Sequence, residues 1–201
     1  MLTIGLTGPS GAGKGTVASL FAQFGVPSID TDAVYHALLV PPSACLDELV
    51  ARFGSSILTA DGTLNRPALA SIVFAPGHED ALEDLNRISH RHVLNEVRRQ
   101  LEIHRNEGKT AVLVDAPQLF ESGFDAECDF IVAILAPRET RMARIMARDG
   151  LDEARAIARM DAQKSDDFFR EHADAVLVNG SEIGALEADV RELLRRWEVL
   201  S

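Results

Sequence analysis

A glycine-rich segment directly after a short apolar run is the feature that most limits what this chain can fold into. The segment, GPSGAGKGT at residues 8–16, lies between the run LTIGLT at 2–7 and a helix-forming stretch that begins near Lys14. Four residues separate Gly8 from Gly13, and Lys14 follows. Loops of this spacing hold phosphates with their backbone N–H groups, while the lysine reaches the terminal phosphates. The sequence therefore predicts a strand, a phosphate-binding loop and a helix whose positive dipole end assists the loop.

The residues that follow the lysine depart from the usual loop pattern. Gly15 stands where a hydroxyl residue is expected, and the next hydroxyl belongs to Thr16. Thr16 either binds a phosphate oxygen or reaches a magnesium ion through water, and the sequence leaves both open. A glycine-rich turn with a surface lysine is the alternative to a phosphate site, but the flanking strand and helix favour phosphate binding.

Length, charge and cysteine content limit the class of protein. The 201 residues are enough for one compact α/β domain, and the net charge of −11 disfavours nucleic-acid and anionic-membrane partners. Cys45 and Cys128 lie far apart without metal-type spacing, which favours buried free thiols in a reducing compartment. The longest apolar stretch, at 130–136, is too short to span a bilayer. We therefore expect a cytoplasmic protein.

Five near-continuous apolar runs alternate with helical stretches along the chain. Runs that are apolar on both faces and separated by helices predict a buried parallel sheet with crossover helices. The final helix carries an apolar stripe at helical spacing from Leu186 to Trp197, which predicts a core-facing surface. The predicted strands lie at residues 2–7, 26–29, 111–116, 129–136 and 173–178.

An insertion separates the second and third predicted strands, because residues 30–110 are roughly twice what a simple crossover needs. The apolar positions from Leu82 to Leu101 follow a helical stripe, and Asn65 is the expected N-cap of a shorter helix before it. We expect this insertion to pack beside the sheet and to form the second wall of a cleft.

Carboxylates follow two of the predicted strands, at the edge where parallel sheets bind their ligands. Asp30 and Asp32 follow the second strand, and one of them is expected to cap the next helix. Asp32 is favoured as the carboxylate that orients an acceptor hydroxyl towards a bound phosphate, a role that suits phosphoryl transfer. Asp115 ends the third strand, where it either completes a magnesium shell or serves a turn. Thr16 and Asp115 are thus the candidate metal ligands.

Basic side chains at three places in the sequence are considered next. Arg66 either contacts an anionic substrate or lies on the surface, and its spacing leaves both open. His90 and His92 are two residues apart, which is unlike the spacing of a helical metal pair and favours structural or solvated roles. A row of arginines lies on one predicted helical face, where most are expected to be solvated. One or two of them are candidates for a lid that closes over ATP and excludes water. This row consists of Arg138, Arg141, Arg144 and Arg148.

Taken together, these segments resemble the dephospho-CoA kinase family in the order in which they occur. IGLTGPSGAGKGT resembles the family's opening, VPSIDTD its strand with the catalytic aspartate, and DGTLNRPALASIVF its substrate-side segment. LEDLNRISHRHV resembles the helix with the family's histidine, and VDAPQLFESG its third-strand motif. RMARIMARDGLDEARAIARMDAQ resembles its lid, and ADAVLVNGS its last strand and nucleotide-base turn.

The resemblance implies a kinase that transfers the γ-phosphate of ATP to the ribose 3′-hydroxyl of dephospho-CoA, with Mg²⁺ as cofactor. It implies an α/β fold of the phosphate-loop (P-loop) NTPase type, namely a five-stranded parallel sheet flanked by helices, with a helical insertion and a helical lid. The nucleotide-binding core would comprise residues 1–40, 106–136 and 173–201, the acceptor-binding insertion 41–105, and the lid 137–172.

The resemblance also implies roles for individual residues. Lys14 would neutralise charge on ATP, Asp32 would meet the 3′-hydroxyl, Arg148 is the favoured lid residue, and Asn179 would lie near the adenine. The remaining phosphate-loop positions are Gly8, Gly11, Ala12, Gly13, Gly15 and Thr16. The acceptor side would comprise Arg66, His90, Pro117, Phe120 and Glu121.

The chain departs from the family pattern at Gly15, at Arg91, at Gln118 and in KSDDFFREHAD before the last strand. None of these departures removes a residue assigned to phosphoryl transfer. A nucleoside monophosphate kinase of the adenylate kinase type is one alternative, because GAGKGT resembles its loop, although DAPQLFE does not resemble the segment after its third strand. The second alternative is a non-catalytic nucleotide-dependent switch, in which Asp32 and the arginines would have no evident role.

Overall fold

The structure of the chain is a computed structural model that describes residues 1–180 and 183–200. Five strands and nine α-helices are formed by these residues. The strands are β1 (Leu2–Thr7), β2 (Ser28–Asp30), β3 (Ala111–Asp115), β4 (Phe130–Leu135) and β5 (Ala175–Val178). All five fall on or next to the apolar runs from which they were predicted.

The strands form one sheet in the order β2-β3-β1-β4-β5. The strand β1 pairs in parallel with β3 and with β4, and β4 pairs in parallel with β5. The register sets Leu6 of β1 opposite Asp115 of β3 and opposite Val132 of β4. The carboxyl end of β1, which leads into the glycine-rich loop, therefore lies beside the end of β3.

The helices occur in three groups along the chain. The helix α1 (Lys14–Gln23) follows the loop, and α9 (Ile183–Arg196) follows β5. Between β4 and β5 lie α6 (Arg138–Asp149), α7 (Glu153–Asp161) and α8 (Asp166–His172). Between β2 and β3 lie α2 (Thr31–Leu38), α3 (Ala44–Phe53), α4 (Arg66–Val73) and α5 (Glu79–Asn106).

The chain divides into two compact units, Met1–Ile29 with Leu101–Ser201, and Asp30–Gln100. The expected boundaries of the insertion, at 41 and 105, differ from these, because residues 30–40 belong to the second unit and 101–105 to the first.

The first unit has its main apolar core between the sheet and the helices α1 and α9. Leu6 and Ile134 from the sheet, Phe21 from α1 and Val190 from α9 are completely buried. Trp197 joins this cluster, where its ring stacks on Phe130 with the ring centroids 4.4 Å apart. The predicted apolar stripe of the last helix is thus confirmed as a core surface.

The second unit has a core of its own, formed by helices. Leu49 of α3, Ile57 of a short 3₁₀ turn, Leu69 of α4 and Ile88 of α5 are buried together. The predicted N-cap Asn65 is confirmed, since its Oδ1 accepts the N–H of Ala68 at 3.1 Å. Among the described residues, no helix is both long and apolar enough to cross a membrane.

Candidate active site

The glycine-rich loop joins β1 directly to α1, as predicted. Gly13 is the residue before α1 and has a left-handed backbone, with φ 96° and ψ 37°. Its carbonyl accepts the N–H groups of Thr16 and Val17 and so begins the helix. The N–H groups at this end of α1 carry the positive partial charge of the helix dipole, which suits an anionic ligand.

Two glycines let the loop lie against β4 and α6. A Cβ atom on Gly8 would lie 2.2 Å from the carbonyl oxygen of Ile134, and one on Gly11 would lie 2.6 Å from that of Arg141. Both distances are impossible for a real side chain. The backbone at Gly8 and Gly11 also has a positive φ, which glycine adopts without strain. Glycine at these two positions therefore permits the close contact of the loop with β4 and α6.

The side chain of Lys14 turns back over the beginning of the loop. Its Nζ lies 3.5 Å from the carbonyl oxygen of Gly8, the long limit of a hydrogen bond. Thr16, in the first turn of α1, is exposed. Asp115 is half-buried at the end of β3, beside the β1 residue that precedes Thr7. One candidate metal ligand thus ends β3, and the other lies in the helix that the loop joins to the neighbouring strand β1.

Ser10 in the loop is held by two residues of the segment expected to form the lid. Its backbone N–H donates to Oε1 of Gln163 at 3.0 Å, and its hydroxyl is 3.1 Å from a guanidinium nitrogen of Arg148. Arg148 also pairs with Asp149 through two nitrogens, at 2.8 and 2.9 Å. This hydrogen bonding lowers the pKa of the Asp149 carboxyl. Asp149 in turn pairs with Arg159 of α7.

The other arginines of α6 have different partners. Arg138 pairs with Asp161 at 2.7 Å, and Arg141 is buried and pairs with Asp166 at 3.2 Å. Arg144 instead donates to two carbonyl oxygens of the loop, those of Gly11 at 3.1 Å and Ala12 at 3.2 Å. The row of arginines is therefore neither wholly solvated nor uniform in its contacts.

Asn179 contacts the same part of the loop. It follows β5, and its backbone N–H donates to Leu135 at 2.7 Å. Its side-chain Nδ2 donates to the carbonyl oxygen of Ala12 at 2.9 Å. Asn179, which the resemblance implies lies near the adenine, thus contacts the glycine-rich loop directly.

The acceptor-side candidates that follow β3 lie in the first unit. Pro117 is exposed, and Phe120 is half-buried in a group of rings with Phe168 and His172. The Phe120 and Phe168 rings meet edge to face with their centroids 5.1 Å apart. Glu121 lies 3.6 Å from the ammonium group of Lys164, which also lies over the Phe168 ring. The segment KSDDFFREHAD, in which the chain departs from the family, thus packs against the third-strand motif.

The other acceptor-side candidates belong to the second unit. Asp30 caps α2, since its Oδ1 accepts the N–H groups of Asp32 and Ala33 at 2.9 and 3.1 Å. Asp32 is exposed in the first turn of α2. Arg66 donates from a guanidinium nitrogen to Nδ1 of His36 at 2.7 Å. Because a guanidinium only donates, His36 accepts through Nδ1 in this contact.

His90 and His92 both lie in α5. His90 is half-buried. His92 lies 2.8 Å from Oε2 of Glu48, which also pairs with Arg91. Hydrogen bonds from His92 and then Arg91 lower the pKa of the Glu48 carboxyl. His92 thus joins α5 to α3 within the second unit. Among the described residues, no group of three or more His, Cys, Asp or Glu side chains is suited to a metal ion.

Sequence reasoning did not single out three residues that contact the predicted site residues. Arg144 belonged to the predicted row of arginines, but Arg148 was favoured in that row and no pattern distinguished Arg144. Gln163 and His36 were not considered at all, because a single glutamine or histidine in a helical segment carries no periodic or spacing signal. Their contacts join residues far apart in the chain, or in different helices, and only the folded structure brings these together.

The fold and the loop define the class of protein. A parallel sheet whose central strand leads into a glycine-rich loop, with arginines that contact this loop, is typical of a nucleotide-binding protein of the P-loop class. The family model described as dephospho-CoA kinase matches residues 2–184. The chain belongs to the dephospho-CoA kinase family and is a kinase. Kinases of this family use ATP as the phosphoryl donor.

Comparison with individual proteins agrees with this family. A dephospho-CoA kinase of Symbiobacterium thermophilum is 39% identical over 196 residues, which cover 97% of this chain and 81% of that protein. The structure of the Campylobacter jejuni dephospho-CoA kinase superposes with a TM-score of 0.70 at 25% identity, covering 97% of this chain and 96% of the other. A Thermus thermophilus protein reaches a TM-score of 0.82 at 30% identity, with 97% of both chains covered. These matches favour neither the adenylate kinase alternative nor the non-catalytic switch.

Proposed function

We propose that this kinase transfers the γ-phosphate of ATP to the ribose 3′-hydroxyl of dephospho-CoA, giving CoA and ADP, the final step of coenzyme A biosynthesis. The observation that carries the proposal is the family match over residues 2–184, which includes the phosphate loop, the aspartates after β2, the third-strand motif and the arginine-rich helices. A phosphate loop alone would indicate only nucleotide binding.

On the donor side, the loop holds the phosphates of ATP. The backbone N–H groups of Gly8 and of residues 11–16 supply the donors, and Lys14 neutralises charge that develops on the transferred group. Arg148 stabilises the charge of the transition state from the lid, and its contact with the Ser10 hydroxyl in the loop supports this role. Asn179 lies towards the adenine.

On the acceptor side, Asp32 orients the 3′-hydroxyl and accepts its proton late in the reaction. Phosphoryl transfer depends mainly on positioning and charge neutralisation, so a weakly basic carboxylate is sufficient. The exposure of Asp32 supports this role, and the capping role of Asp30 leaves Asp32 available for it. Arg66, His90, Pro117, Phe120 and Glu121 bind the rest of the acceptor.

The chain also offers oxygen atoms of the kind that Mg²⁺ prefers. Asp115 is the last residue of β3, and Thr16 lies in the first turn of α1, which the loop joins to the neighbouring strand β1. In nucleotide enzymes Mg²⁺ is commonly bound by one or two protein oxygens together with phosphates and water, so a small protein ligand set fits this ion. When bound, Mg²⁺ would neutralise charge on the β- and γ-phosphates.

We place the enzyme in the cytoplasm, acting on a small molecule without a nucleic-acid or membrane partner. The free thiols of Cys45 and Cys128 support a reducing compartment. The charge of −11 disfavours binding to other polyanions.

A direct assay tests the proposal. The purified protein is incubated with ATP and Mg²⁺ in the presence of dephospho-CoA, AMP or no acceptor, and ADP release is followed. We expect turnover with dephospho-CoA at roughly 1–100 per second, the range usual for kinases, and little release with AMP or without an acceptor. Faster turnover with AMP would support the adenylate kinase alternative. ATP binding without acceptor-dependent turnover would support the switch.

A chelator tests the metal requirement in the same assay. Excess EDTA should stop ADP release, and added Mg²⁺ should restore it. Product analysis completes the assignment, because the phosphate must be found on the ribose 3′-oxygen.

A further inference from the structure

One peptide group of the phosphate loop is held by two side chains from distant parts of the chain. The carbonyl oxygen of Ala12 accepts Nδ2 of Asn179 at 2.9 Å and a guanidinium nitrogen of Arg144 at 3.2 Å. The same arginine nitrogen also lies 3.1 Å from the carbonyl oxygen of Gly11. Asn179 follows β5, Arg144 lies in α6, and Ala12 is completely buried between them and the core.

The direction of this carbonyl fixes the direction of a loop N–H. In a planar trans peptide the C=O and the N–H point to opposite sides. The N–H in the same peptide as the Ala12 carbonyl is that of Gly13, the residue before α1. With the Ala12 oxygen turned towards Arg144 and Asn179, the Gly13 N–H points away from both side chains, at the positive end of the helix dipole.

Glycine at position 13 leaves space for the Asn179 side chain beside the loop. A Cβ atom there would lie 2.1 Å from Nδ2 of Asn179 and 3.3 Å from a guanidinium nitrogen of Arg144. Any larger residue would therefore displace Asn179 from the Ala12 carbonyl. Glycine at position 13 thus leaves room for Arg144 and Asn179 to donate to the Ala12 carbonyl, which belongs to the same peptide group as the Gly13 N–H.

We infer that Arg144 and Asn179 are positioning residues of the phosphate loop, which hold the Ala12–Gly13 peptide so that the Gly13 N–H is directed at a bound phosphate. This inference rests on the proposed binding of ATP phosphates by the loop and adds a function that the adenine contact of Asn179 does not include. Pre-orienting a donor lowers the cost of binding, because the peptide need not reorient when the phosphate arrives.

The partners of Arg144 distinguish it from the other arginines of α6. Arg138, Arg141 and Arg148 each pair with an aspartate, whereas the hydrogen bonds described for Arg144 go to loop carbonyls. A carbonyl oxygen does not neutralise the guanidinium charge, so Arg144 also adds positive potential behind the loop. Both effects favour a polyphosphate on the opposite side.

Inorganic tripolyphosphate separates loop positioning from adenine contact, because it carries phosphates without a base. We expect Asn179→Ala to weaken the binding of tripolyphosphate, measured by calorimetry, about three- to tenfold, as the loss of one hydrogen bond predicts. Binding of tripolyphosphate as tight as in the unaltered protein, with weaker binding of ATP alone, would show a contact to adenine only and overturn the inference. Asn179→Ser provides the same comparison if Asn179→Ala does not fold.

Arg144→Gln should also weaken tripolyphosphate binding, and Arg144→Lys should restore part of the loss. Arg138→Gln removes the same charge from the same helix and is the matched control, for which we expect less than twofold change. In the double variant Arg144→Gln/Asn179→Ala, the dissociation constant of tripolyphosphate should rise by a smaller factor than the product of the two single factors. The reason is that both changes release the same carbonyl, that of Ala12. If the two factors simply multiply, the two side chains act independently, which would contradict a shared role in holding the Ala12–Gly13 peptide.

Steady-state kinetics provide a second readout. Loss of loop positioning should raise KM for ATP and leave KM for dephospho-CoA unchanged, which a general loss of stability would not do. The unaltered protein is measured first. If it neither binds tripolyphosphate nor turns over ATP with dephospho-CoA, the proposed function fails. If it does both and the variants bind tripolyphosphate equally well, only the present inference fails.

Discussion

At the scale of the residue, Asp30 and Asp32 show how two aspartates in one tetrapeptide acquire different roles. The Asp30 side chain accepts two backbone N–H groups and so stabilises the start of α2. Asp32 lies in the first turn, where its charge favours the helix dipole while its carboxylate stays exposed. The sequence showed that one of the two would be a cap, and the structure identifies it as Asp30.

The proposed role of Asp32 makes Asp32→Asn a selective test. We expect kcat to fall about 10²- to 10⁴-fold, while the dissociation constant of ATP changes little, because the carboxylate acts on the acceptor in the transition state. Asp30→Asn is the matched control, since asparagine caps a helix as well as aspartate does. An equal loss of ATP affinity in Asp32→Asn would indicate a nucleotide or metal ligand instead.

Gly15, at which the loop pattern leads us to expect a hydroxyl residue, offers a test of metal binding. A Cβ atom at this position would meet no other atom within 4 Å, so larger residues fit. We expect Gly15→Ser to lower the Mg²⁺ concentration needed for half-maximal activity, because it adds an oxygen ligand beside Lys14. Gly15→Ala is the control, which should leave the Mg²⁺ requirement unchanged. Equal effects of serine and alanine would exclude ligation as the cause.

The two thiols are expected to be unreactive in the folded protein. Burial, and then the charge of Glu48, raises the pKa of the Cys45 thiol to about 11, and burial, with nearby Asp125, raises that of Cys128 to about 12. Iodoacetamide at pH 8 should therefore modify both slowly before unfolding and rapidly in urea, because only the thiolate reacts. Alkylation at the same rate in both states would contradict this.

The same thiols predict a loss of stability in alkali. A thiol pKa that is higher in the folded than in the unfolded chain stabilises the fold fully below the unfolded value, about 8.5. This stabilisation should be lost as the pH rises from there towards 11 to 12, and urea unfolding across this range measures it.

At the scale of the element, side-chain caps define where the helices begin. Ser43, Asn65, Asp152 and Ser165 each accept a backbone N–H in the first turn of α3, α4, α7 and α8 respectively. Asn65 was predicted because it follows the turn residues Asp61 and Gly62. In the structure, Pro67 lies in the first turn of α4, where proline is favoured. The cap also places Arg66 at the first position of α4, within reach of His36.

The cap of α4 predicts a difference between two substitutions of one residue. Asn65→Ala should lower the free energy of unfolding by about 1 kcal/mol, because the N–H of Ala68 loses its acceptor. Asn65→Asp should retain the stability, since its carboxylate can accept the same N–H. Urea unfolding followed by circular dichroism measures both, and equal losses would show that the cap does not stabilise α4.

At the scale of the whole molecule, each of the two compact units has an apolar core of its own. In the first unit the buried residues come from strands and helices that are widely separated in the chain. In the second they come from helices close in sequence. The first core is therefore the one whose formation requires the parallel sheet.

A cavity in the first core should destabilise the protein strongly. Leu6 is completely buried in β1, so we expect Leu6→Ala to lower the free energy of unfolding by about 2–5 kcal/mol. Ile103→Ala, at an exposed position of α5, is the control and should change it by less than about 0.5 kcal/mol. Fluorescence of Trp197, which belongs to the same cluster as Leu6, reports the unfolding in urea. A loss below about 1 kcal/mol for Leu6→Ala would contradict this account of the core.

The sequence by itself determined the elements that local patterns control. Continuous apolar runs specify buried strands, helical periodicity specifies the core face of α9, and glycine and lysine spacing specifies the phosphate loop, because each depends on residues near one another in the chain. Asn65 was predictable for the same reason. Resemblance to the family supplied the proposed acceptor, which no spacing in the chain could have identified.

Only the tertiary structure decided which side chains hold the loop. Arg144 and Asn179 are separated from Ala12 by more than a hundred residues, yet both donate to its carbonyl. Gln163 reaches Ser10 over a similar separation. Hydrogen bonds depend on distance and direction in space, and the pairing of β1 with β4 and of β4 with β5 is what brings the helices and turns that follow those strands to the loop. Local sequence therefore defines the loop, while the order of the strands defines its surroundings.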